Sequence, residues 1–406
     1  MFSRCMLLTT PLLAALCLPL NAQTNNPPAF DQCVAQLQSS ALQQGISKAV
    51  VERDLAAVSY QNRVIELDRK QPEFSESFAV YFERRVTEDR IVRGRKLLAE
   101  HRALLDRISR EFGVPPQYLV AFWGLETNFG GYFGKMPVLD SLATLACDER
   151  RSEYFTGELI NALKIIDEGS ISAARMQGSW AGAMGHTQFM PSVFLRYALD
   201  YDGDGKRDLW GSLPDALASA ANFLRGIGWQ ENERWGREVR LSKGFAYEQA
   251  GLQHSLPLKQ WQALGVRMTN GGNLPSVEMN ASLLLPTGHE GPAFLVYDNF
   301  HVIMRWNRAE AYALAVGHLA DRINGGGSLS RAPVPAPRLS REQVVTLQQT
   351  LNDQGFAAGE ADGVLGPGTR AAISRYQKAS ELIADGFISE QILRSLGILA
   401  PSASAQ

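Results

Sequence analysis

The chain has 406 residues, of which 45% are hydrophobic and 20% charged, and its formal net charge is −2. This composition is typical of a globular protein, and the length exceeds that of a usual single domain, so two or three domains are expected. The low net charge and the absence of a lysine- or arginine-rich run exclude nucleic acid as the expected partner. They are compatible with a neutral, extended substrate.

Residues 1–22 have the features of a secretory signal peptide. Arg4 precedes an apolar run at residues 6–20, and Leu-Asn-Ala precedes Gln23, so cleavage is expected after Ala22. No later stretch is comparably apolar, so no membrane span is expected. The mature protein is predicted to be a soluble, periplasmic monomer.

Two cysteines remain after the signal peptide, Cys33 and Cys147. An even pair in an oxidising compartment is a candidate disulfide. Two separate buried thiols are the alternative, and the sequence leaves both open because it does not give the distance between the Cα atoms.

The first part of the chain is predicted to be helical. Apolar residues recur at helical spacing in residues 30–58, 78–85 and 91–112.

A further helix is predicted within residues 113–131, between two prolines at 115–116 and two glycines at 130–131. Glu126, near the end of this helix, shares a helical face with three apolar residues: Leu119, Phe122 and Trp123. A carboxylate held against aromatic rings loses hydration, and the helix C-terminus adds partial negative charge, so both favour the protonated form.

Such a group can act as a general acid near neutral pH. The alternative is a glutamate that reaches water at the helix end or pairs with an arginine. Structural ion pairs also perturb carboxylates, so helix geometry alone does not decide between the two.

Another amphipathic helix is predicted at residues 154–168, and the segment QGSWAGAMGHTQFMP follows at residues 177–191. Small residues there allow the backbone to approach a ligand or another helix closely. Ser179 and Gln188 add neutral hydrogen-bonding groups, which suit a sugar. The alternative is a tight helix–loop packing motif without a ligand.

The segment DYDGDGKRDLWG at residues 200–211 resembles an EF-hand calcium loop. Asp200, Asp202 and Asp204 occupy the first, third and fifth positions, and the backbone carbonyl of Lys206 the seventh. Gly211 stands where a twelfth-position Glu is usual, so Asp215 is the carboxylate expected to close the site. We predict a structural Ca²⁺ in this loop of residues 200–215, the alternative being an exposed acidic turn.

Residues 215–227 are predicted to be helical, and strand-like pieces follow at 281–285, 292–297 and 302–306. They predict a small β insertion at about residues 239–306. Residues 308–323 return to a helical pattern.

A Gly- and Pro-rich linker is predicted at residues 325–338, followed by a unit at 339–398 whose apolar positions divide into three helices. Residues 399–406 are predicted to be a disordered tail.

The unit at 339–398 resembles the peptidoglycan-binding domain type 1. The resemblance rests on a family pattern that appears here as Asp362, Gly363, Gly366, Thr369, Ala372, Tyr376 and Gln377. These residues are turn glycines, a helix start and core positions, so they assign no ligand-contacting residue.

Residues 23–324 resemble the B-type lytic murein transglycosylases, the glycoside hydrolase 103 group. The resemblance rests on WGLETNFG at 123–130, GSWAGAMG with QFMP at 178–191, the acidic loop, and WNR at 306–308 followed by Tyr312. It implies a mainly α (α+β) fold with a lysozyme-like catalytic core, an extra helical domain, a small β subdomain and a C-terminal three-helix binding domain.

The resemblance implies that Glu126 is the single catalytic acid/base. Glu126 would protonate the oxygen between N-acetylmuramic acid and N-acetylglucosamine and then deprotonate the muramoyl 6-hydroxyl, so that a 1,6-anhydro end forms without water. Ordinary glycosidases need a second carboxylate. The substrate's N-acetyl group would assist instead.

The resemblance also implies substrate contacts from Ser179, Gln188, Asn307 and Tyr312. Trp306 and Phe223 stand where the family has tyrosines. Both keep a stacking face and lose the hydroxyl, so hydrogen bonds from them are not expected.

Two other functions are compatible with these features: a muramidase that uses water, and a non-catalytic murein-binding scaffold. In each case the partner is a peptidoglycan glycan strand, with other cell-wall enzymes as further candidates.

Overall fold

A computed structural model describes residues 26–70 and 76–399. The predicted signal peptide at residues 1–22 lies outside the described residues, as does the predicted tail from residue 400 onward. The mainly α fold class with a small β subdomain is confirmed. None of the helices in these two ranges has the length and apolar character needed to span a bilayer.

The helices of the first two thirds of the described chain are α1 (Pro28–Gln43), α2 (Lys48–Val50), α3 (Asn62–Lys70), α4 (Phe78–Arg85), α5 (Glu88–Glu100), α6 (Arg102–Phe112), α7 (Pro116–Thr127), α8 (Val138–Ala146), α9 (Ser152–Asp167), α10 (Pro191–Tyr197), α11 (Leu213–Gly226) and α12 (Leu258–Ala263). The remaining helices are α13 (Asp298–Trp306), α14 (Glu310–Ile323), α15 (Arg341–Asp353), α16 (Pro367–Ala379) and α17 (Glu390–Ser395). The strands are β1 (Met136–Pro137), β2 (Gln177–Gly178), β3 (Gly236–Leu241), β4 (Gly251–Pro257), β5 (Val266–Met268), β6 (Asn280–Leu284) and β7 (Ala293–Val296).

Helix α7 lies at the centre of the largest hydrophobic core. It packs against α5, α6, α11 and α14, and every residue from Tyr118 to Leu125 is buried. The apolar residues therefore surround the helix rather than forming a single face. Pro116 is the first helical residue, as predicted, but the helix ends at Thr127, because the next residue, Asn128, has a left-handed conformation (φ 51°) before the predicted glycines are reached.

A second helical core contains α1, α8, α9 and α10. A disulfide joins Cys33 of α1 to Cys147 at the end of α8, with the two Cα atoms 6.0 Å apart. The bond fixes the N-terminal helix to the layer that carries the segment at residues 177–191.

The β subdomain is a five-stranded antiparallel sheet with strand order β4-β6-β7-β3-β5. Its core includes Trp261 of α12, whose indole Nε1 donates to Ala281 O at 2.7 Å. The sheet ends at Val296, so the strand predicted at residues 302–306 is wrong. That stretch belongs to α13, because Asn299, Phe300, Val302 and Ile303 are buried at helical spacing.

Two predicted helices are divided in the structure. Residues 30–58 form α1, α2 and a π-helical turn at Val51–Leu55. Ser47 caps the start of α2, where its side chain accepts a hydrogen bond from the N–H of Val50. Residues 91–112 are split at His101, which ends α5 and precedes α6. Local periodicity did not reveal these breaks, because the apolar spacing continues across them.

The C-terminal unit consists of α15, α16 and α17 around its own core. Ser340 and Gln343 form a reciprocal capping box at the start of α15. The unit contacts the β subdomain: Asp385 Oδ2 accepts from the backbone N of His289 at 2.9 Å and lies 2.6 Å from its Nδ1. Lys378 pairs with Glu248 at 2.9 Å in the same interface.

Candidate active site

Glu126 lies in the last turn of α7, one residue before the helix ends at Thr127. It is partly buried, whereas its neighbours Leu125 and Thr127 are fully buried. The carboxylate is thus held on a rigid helix at the edge of the main core.

Two hydrogen-bond donors converge on one oxygen of Glu126. The indole Nε1 of Trp306 donates to Glu126 Oε1 at 2.9 Å, and the hydroxyl of Tyr312 donates to the same oxygen. Burial and the neighbouring Glu126 carboxylate hold the pKa of Tyr312 well above its usual value, so this hydroxyl remains a donor.

Aromatic rings form the surroundings of this carboxylate. The ring of Trp306 lies 4.4 Å from that of Phe122, 5.5 Å from Phe189 and 5.1 Å from Phe223. Phe189 directly follows Gln188, so the cluster connects Glu126 with the segment at residues 177–191. Trp306 and Phe223 are thus packed together.

The segment at residues 177–191 is held close to the loop that follows α7. Strands β1 and β2 pair antiparallel, with Met136 opposite Gly178. A Cβ atom at Gly134 would lie 1.9 Å from the carbonyl oxygen of Gly178, so only glycine permits this approach. Gln188 Nε2 donates to Phe133 O at 3.1 Å and to Gly185 O at 3.0 Å.

Several neutral groups in this region retain hydrogen-bonding capacity. Ser179 Oγ accepts from the backbone N–H of Ala183 at 3.0 Å, which leaves its own proton to donate. Gln188, which has φ 49°, uses only its amide nitrogen in the side-chain bonds formed within the described part of the chain. Asn307 Oδ1 accepts from Ala309 N at 3.2 Å, and its amide nitrogen can donate.

Two expectations for the aromatic residues change. Trp306 was expected to stack without hydrogen bonding, but its indole N–H replaces a hydroxyl as a donor, and its acceptor is Glu126. Tyr312 was expected to contact substrate, but it is 4% exposed and its hydroxyl bonds Glu126. Phe223 is buried in the aromatic cluster, in agreement with the expectation that it forms no hydrogen bond.

His186 also belongs to this site, although no role for it is predicted from the sequence. Its Nδ1 accepts from the indole Nε1 of Trp123 at 2.9 Å. Its carbonyl oxygen accepts from Thr127 Oγ1 at 2.9 Å, and its backbone N–H donates to Leu209 O at 2.8 Å. A histidine two residues before Gln188 was visible in the sequence, but nothing there showed that Trp123 would face it.

The acidic loop lies beside the same segment, because Leu209 belongs to it. One carboxylate oxygen from each of Asp200, Asp202 and Asp204 lies within 4.8 Å of the others, and all three residues are exposed. Asp215 is buried and is not in this group: its carboxylate accepts from the backbone N–H groups of Tyr201 at 2.7 Å and Asp208 at 2.9 Å. Burial raises the pKa of Asp215, while these hydrogen bonds oppose the rise.

The geometry is that of one acid on a buried helix beside an aromatic wall and a glycine-rich loop, and family comparisons agree with it. Residues 29–321 match the model of the transglycosylase SLT domain. The chain belongs to this family. Residues 340–396 match the model of a putative peptidoglycan-binding domain.

Individual relatives of this transglycosylase support the same assignment. The chain is 32% identical to membrane-bound lytic murein transglycosylase B of Escherichia coli over 249 residues, which are 60% of this chain and 66% of that protein. The crystal structure of SltB3 from Pseudomonas aeruginosa in complex with NAG-anhNAM-pentapeptide is 44% identical, with a TM-score of 0.87 over 91% of this chain and 100% of that one.

A third relative carries a metal. The Escherichia coli lytic transglycosylase Slt35 in complex with calcium is 30% identical, with a TM-score of 0.62 over 74% of this chain and 93% of that one.

The family model and these relatives together show that the chain is a lytic transglycosylase, an enzyme of a lyase-type family that cleaves peptidoglycan.

Proposed function

We propose that this transglycosylase cleaves the β-1,4 bond between N-acetylmuramic acid and N-acetylglucosamine without water and leaves a 1,6-anhydromuramoyl end. The observation that carries the proposal is the position of Glu126, whose Oε1 takes hydrogen bonds from an indole and a phenol. Burial and the adjacent Glu126 carboxylate keep the Tyr312 hydroxyl protonated, and the indole nitrogen of Trp306 is a donor only, so neither group offers the nucleophile or base that a second carboxylate supplies in ordinary glycosidases. SltB3 of Pseudomonas aeruginosa, which resembles this chain, binds an anhydromuramoyl peptide.

Glu126 acts first as an acid and then as a base in this scheme. The carboxyl proton of Glu126 passes to the glycosidic oxygen as the bond between that oxygen and the anomeric carbon breaks, and N-acetylglucosamine leaves with a 4-hydroxyl. The Trp306 and Tyr312 donors stabilise the carboxylate that is left. The carboxylate then takes the proton of the muramoyl 6-hydroxyl, while the oxygen of that hydroxyl bonds to the anomeric carbon of the same sugar. Ser179, Gln188 and Asn307 hydrogen-bond the sugar and its N-acetyl groups, and Phe223 and Trp306 support the wall behind it.

Replacing Glu126 by Gln tests the assignment. The amide keeps the shape of the side chain and has no transferable acidic proton, so turnover of purified glycan strands should be lost while binding persists. Glu111 on α6 provides a matched control: it contacts Tyr201 at 3.0 Å and belongs to no catalytic contact, so Glu111→Gln should leave turnover unchanged. Substantial cleavage by the pure Glu126→Gln protein would reject this role.

Mass spectrometry of the products tests the reaction type. Anhydromuramoyl ends are expected, whereas reducing ends would identify a hydrolytic muramidase. Sacculi that stay intact and release no soluble fragments would identify a binding scaffold.

The acidic loop would hold a structural Ca²⁺. Three exposed carboxylates whose oxygens lie within 4.8 Å of one another form an oxygen-rich donor set that fits this ion. The Lys206 carbonyl would complete the loop's own ligands, and Asp215 would take part if its carboxylate exchanged a backbone N–H for the ion.

Calcium should raise the melting temperature, because a ligand that binds only the folded state stabilises it. Asp202→Asn should weaken this shift. No difference between calcium and chelator in the wild-type protein would count against the site.

The binding domain at residues 339–398 would hold the enzyme on the glycan, joined by a linker at 325–338 to the catalytic region at 23–324. We propose that the protein, exported by the predicted signal peptide, works in the periplasm as a soluble monomer. Deleting residues 339–398 should weaken binding to insoluble sacculi more than turnover of short soluble fragments.

A further inference from the structure

His186 connects three parts of the molecule that meet at the active site. Its imidazole contacts α7 through Trp123, three residues before Glu126. Its backbone oxygen bonds Thr127, the residue after Glu126, and its backbone nitrogen bonds Leu209 of the acidic loop. Trp123 before Glu126 and Thr127 after it are thus both hydrogen-bonded to the same residue of the facing segment.

In the hydrogen bond between Trp123 and His186, only Trp123 can be the donor. An indole nitrogen donates and cannot accept, so His186 Nδ1 must be unprotonated and the neutral ring carries its proton on Nε2. Burial lowers the pKa of His186 to about 4, although the charge of Asp208 opposes the effect. The imidazole is therefore a neutral acceptor at neutral pH.

The packing around the ring leaves little freedom. A Cβ atom at Gly130 would lie 2.4 Å from the Cε1 atom of His186, so the chain passes directly over the imidazole just after α7 ends. The ring of Phe133 meets it edge-on at 4.7 Å. Phe133 in turn provides the carbonyl that accepts from Gln188. A change in the tilt of the imidazole would thus move both the end of α7 and the Gln188 amide.

We infer that His186 is a positioning residue of the transglycosylase reaction, which sets Glu126 against the sugar-facing segment by accepting the indole hydrogen bond of Trp123. The inference rests on the proposed role of Glu126. His186 itself need not touch the glycan. Misplacement of a reacting group by about 1 Å can lower the rate roughly 100-fold. Loss of a hydrogen bond this close to Glu126 is therefore expected to lower kcat.

Two variants of His186 separate the acceptor from the ring. His186→Phe keeps a flat ring and removes the acceptor, whereas His186→Asn loses the ring and can place an amide oxygen near the position of Nδ1. We expect His186→Phe to lower kcat by about 10- to 100-fold with little change in KM, and His186→Asn to restore most of the loss. Trp123→Phe removes the donor, so adding it to His186→Phe should lower kcat much less than it does alone.

The hydrogen bond itself is measured by the exchange of the Trp123 indole proton, which NMR of the full chain resolves. Slow exchange is expected in the wild-type and His186→Asn proteins and fast exchange in His186→Phe. His254→Phe is the matched control, because His254 Nδ1 contacts Gln249 O in the β subdomain, so kcat should not change.

An unchanged kcat in His186→Phe, a loss confined to KM, or a rescue absent in His186→Asn despite slow indole exchange would each overturn the inference. These outcomes differ from failure of the proposed function, which would appear as turnover by Glu126→Gln.

Discussion

Replacing Tyr312 by Phe removes the hydrogen bond from its hydroxyl to Glu126 Oε1 and keeps the aromatic ring. Tyr312 is 4% exposed, and its ring remains against the core when the hydroxyl is deleted. A hydrogen bond to a charged group contributes about 1.5–3 kcal/mol. The carboxylate forms as the proton leaves Glu126, so much of this energy belongs to the transition state. At about 1.4 kcal/mol per tenfold change, kcat should fall roughly 10- to 100-fold.

The assay is turnover of a defined glycan strand at saturating concentration, with KM measured in parallel. KM should change little, because the hydroxyl is buried and bonds Glu126. Tyr297→Phe is the matched control: Tyr297 is 1% exposed and belongs to the core of the β subdomain, where it packs beside Arg237. The control should keep wild-type kcat.

The reasoning would be refuted by wild-type kcat in Tyr312→Phe, or by a loss that appears in KM alone. A loss equal to that of the Tyr297→Phe control would also refute it, because the effect would then come from the core and not from Glu126.

Three further predictions concern stability and domain contact. Replacing Cys33 and Cys147 by Ser opens a bridge across 114 positions of the sequence, so urea denaturation without reductant should show a loss of about 3–5 kcal/mol. Burial lowers the pKa of His186 and of His318 from 6.5 to about 4, so the unfolded chain binds protons first as the pH falls. Melting temperatures should therefore decrease between pH 6.5 and about 4, and less so in His318→Phe. Asp385→Ala removes the acceptor of the contact with the β subdomain, so limited proteolysis should cut residues 325–338 faster.

The sequence predicted the parts of the site that depend on local pattern. The position of Glu126 near the end of a buried helix follows from prolines, glycines and apolar spacing within about 20 residues. The acidic loop follows from carboxylates at fixed spacing, and the mainly α class from helical periodicity along most of the chain. In each case the physical cause lies between neighbours in the sequence, so it can be read there.

Local pattern also explains the errors. The apolar spacing of residues 302–306 fits a strand as well as a helix, and the packing of Phe300 and Ile303 in the main core decided for helix α13. Helix α7 ends before the glycines because Asn128 has a left-handed backbone conformation, which cannot continue a right-handed helix.

The tertiary structure decided which groups surround Glu126. Trp306 and Tyr312 lie 180 and 186 positions away from Glu126 in the sequence, and only the packing of α13 and α14 against α7 brings their donors to one oxygen. The same holds for His186, whose partner Trp123 is 63 positions away. Helical spacing identifies a buried carboxylate, but a hydrogen bond needs two atoms within about 3 Å. That distance is set by the packing of the whole domain.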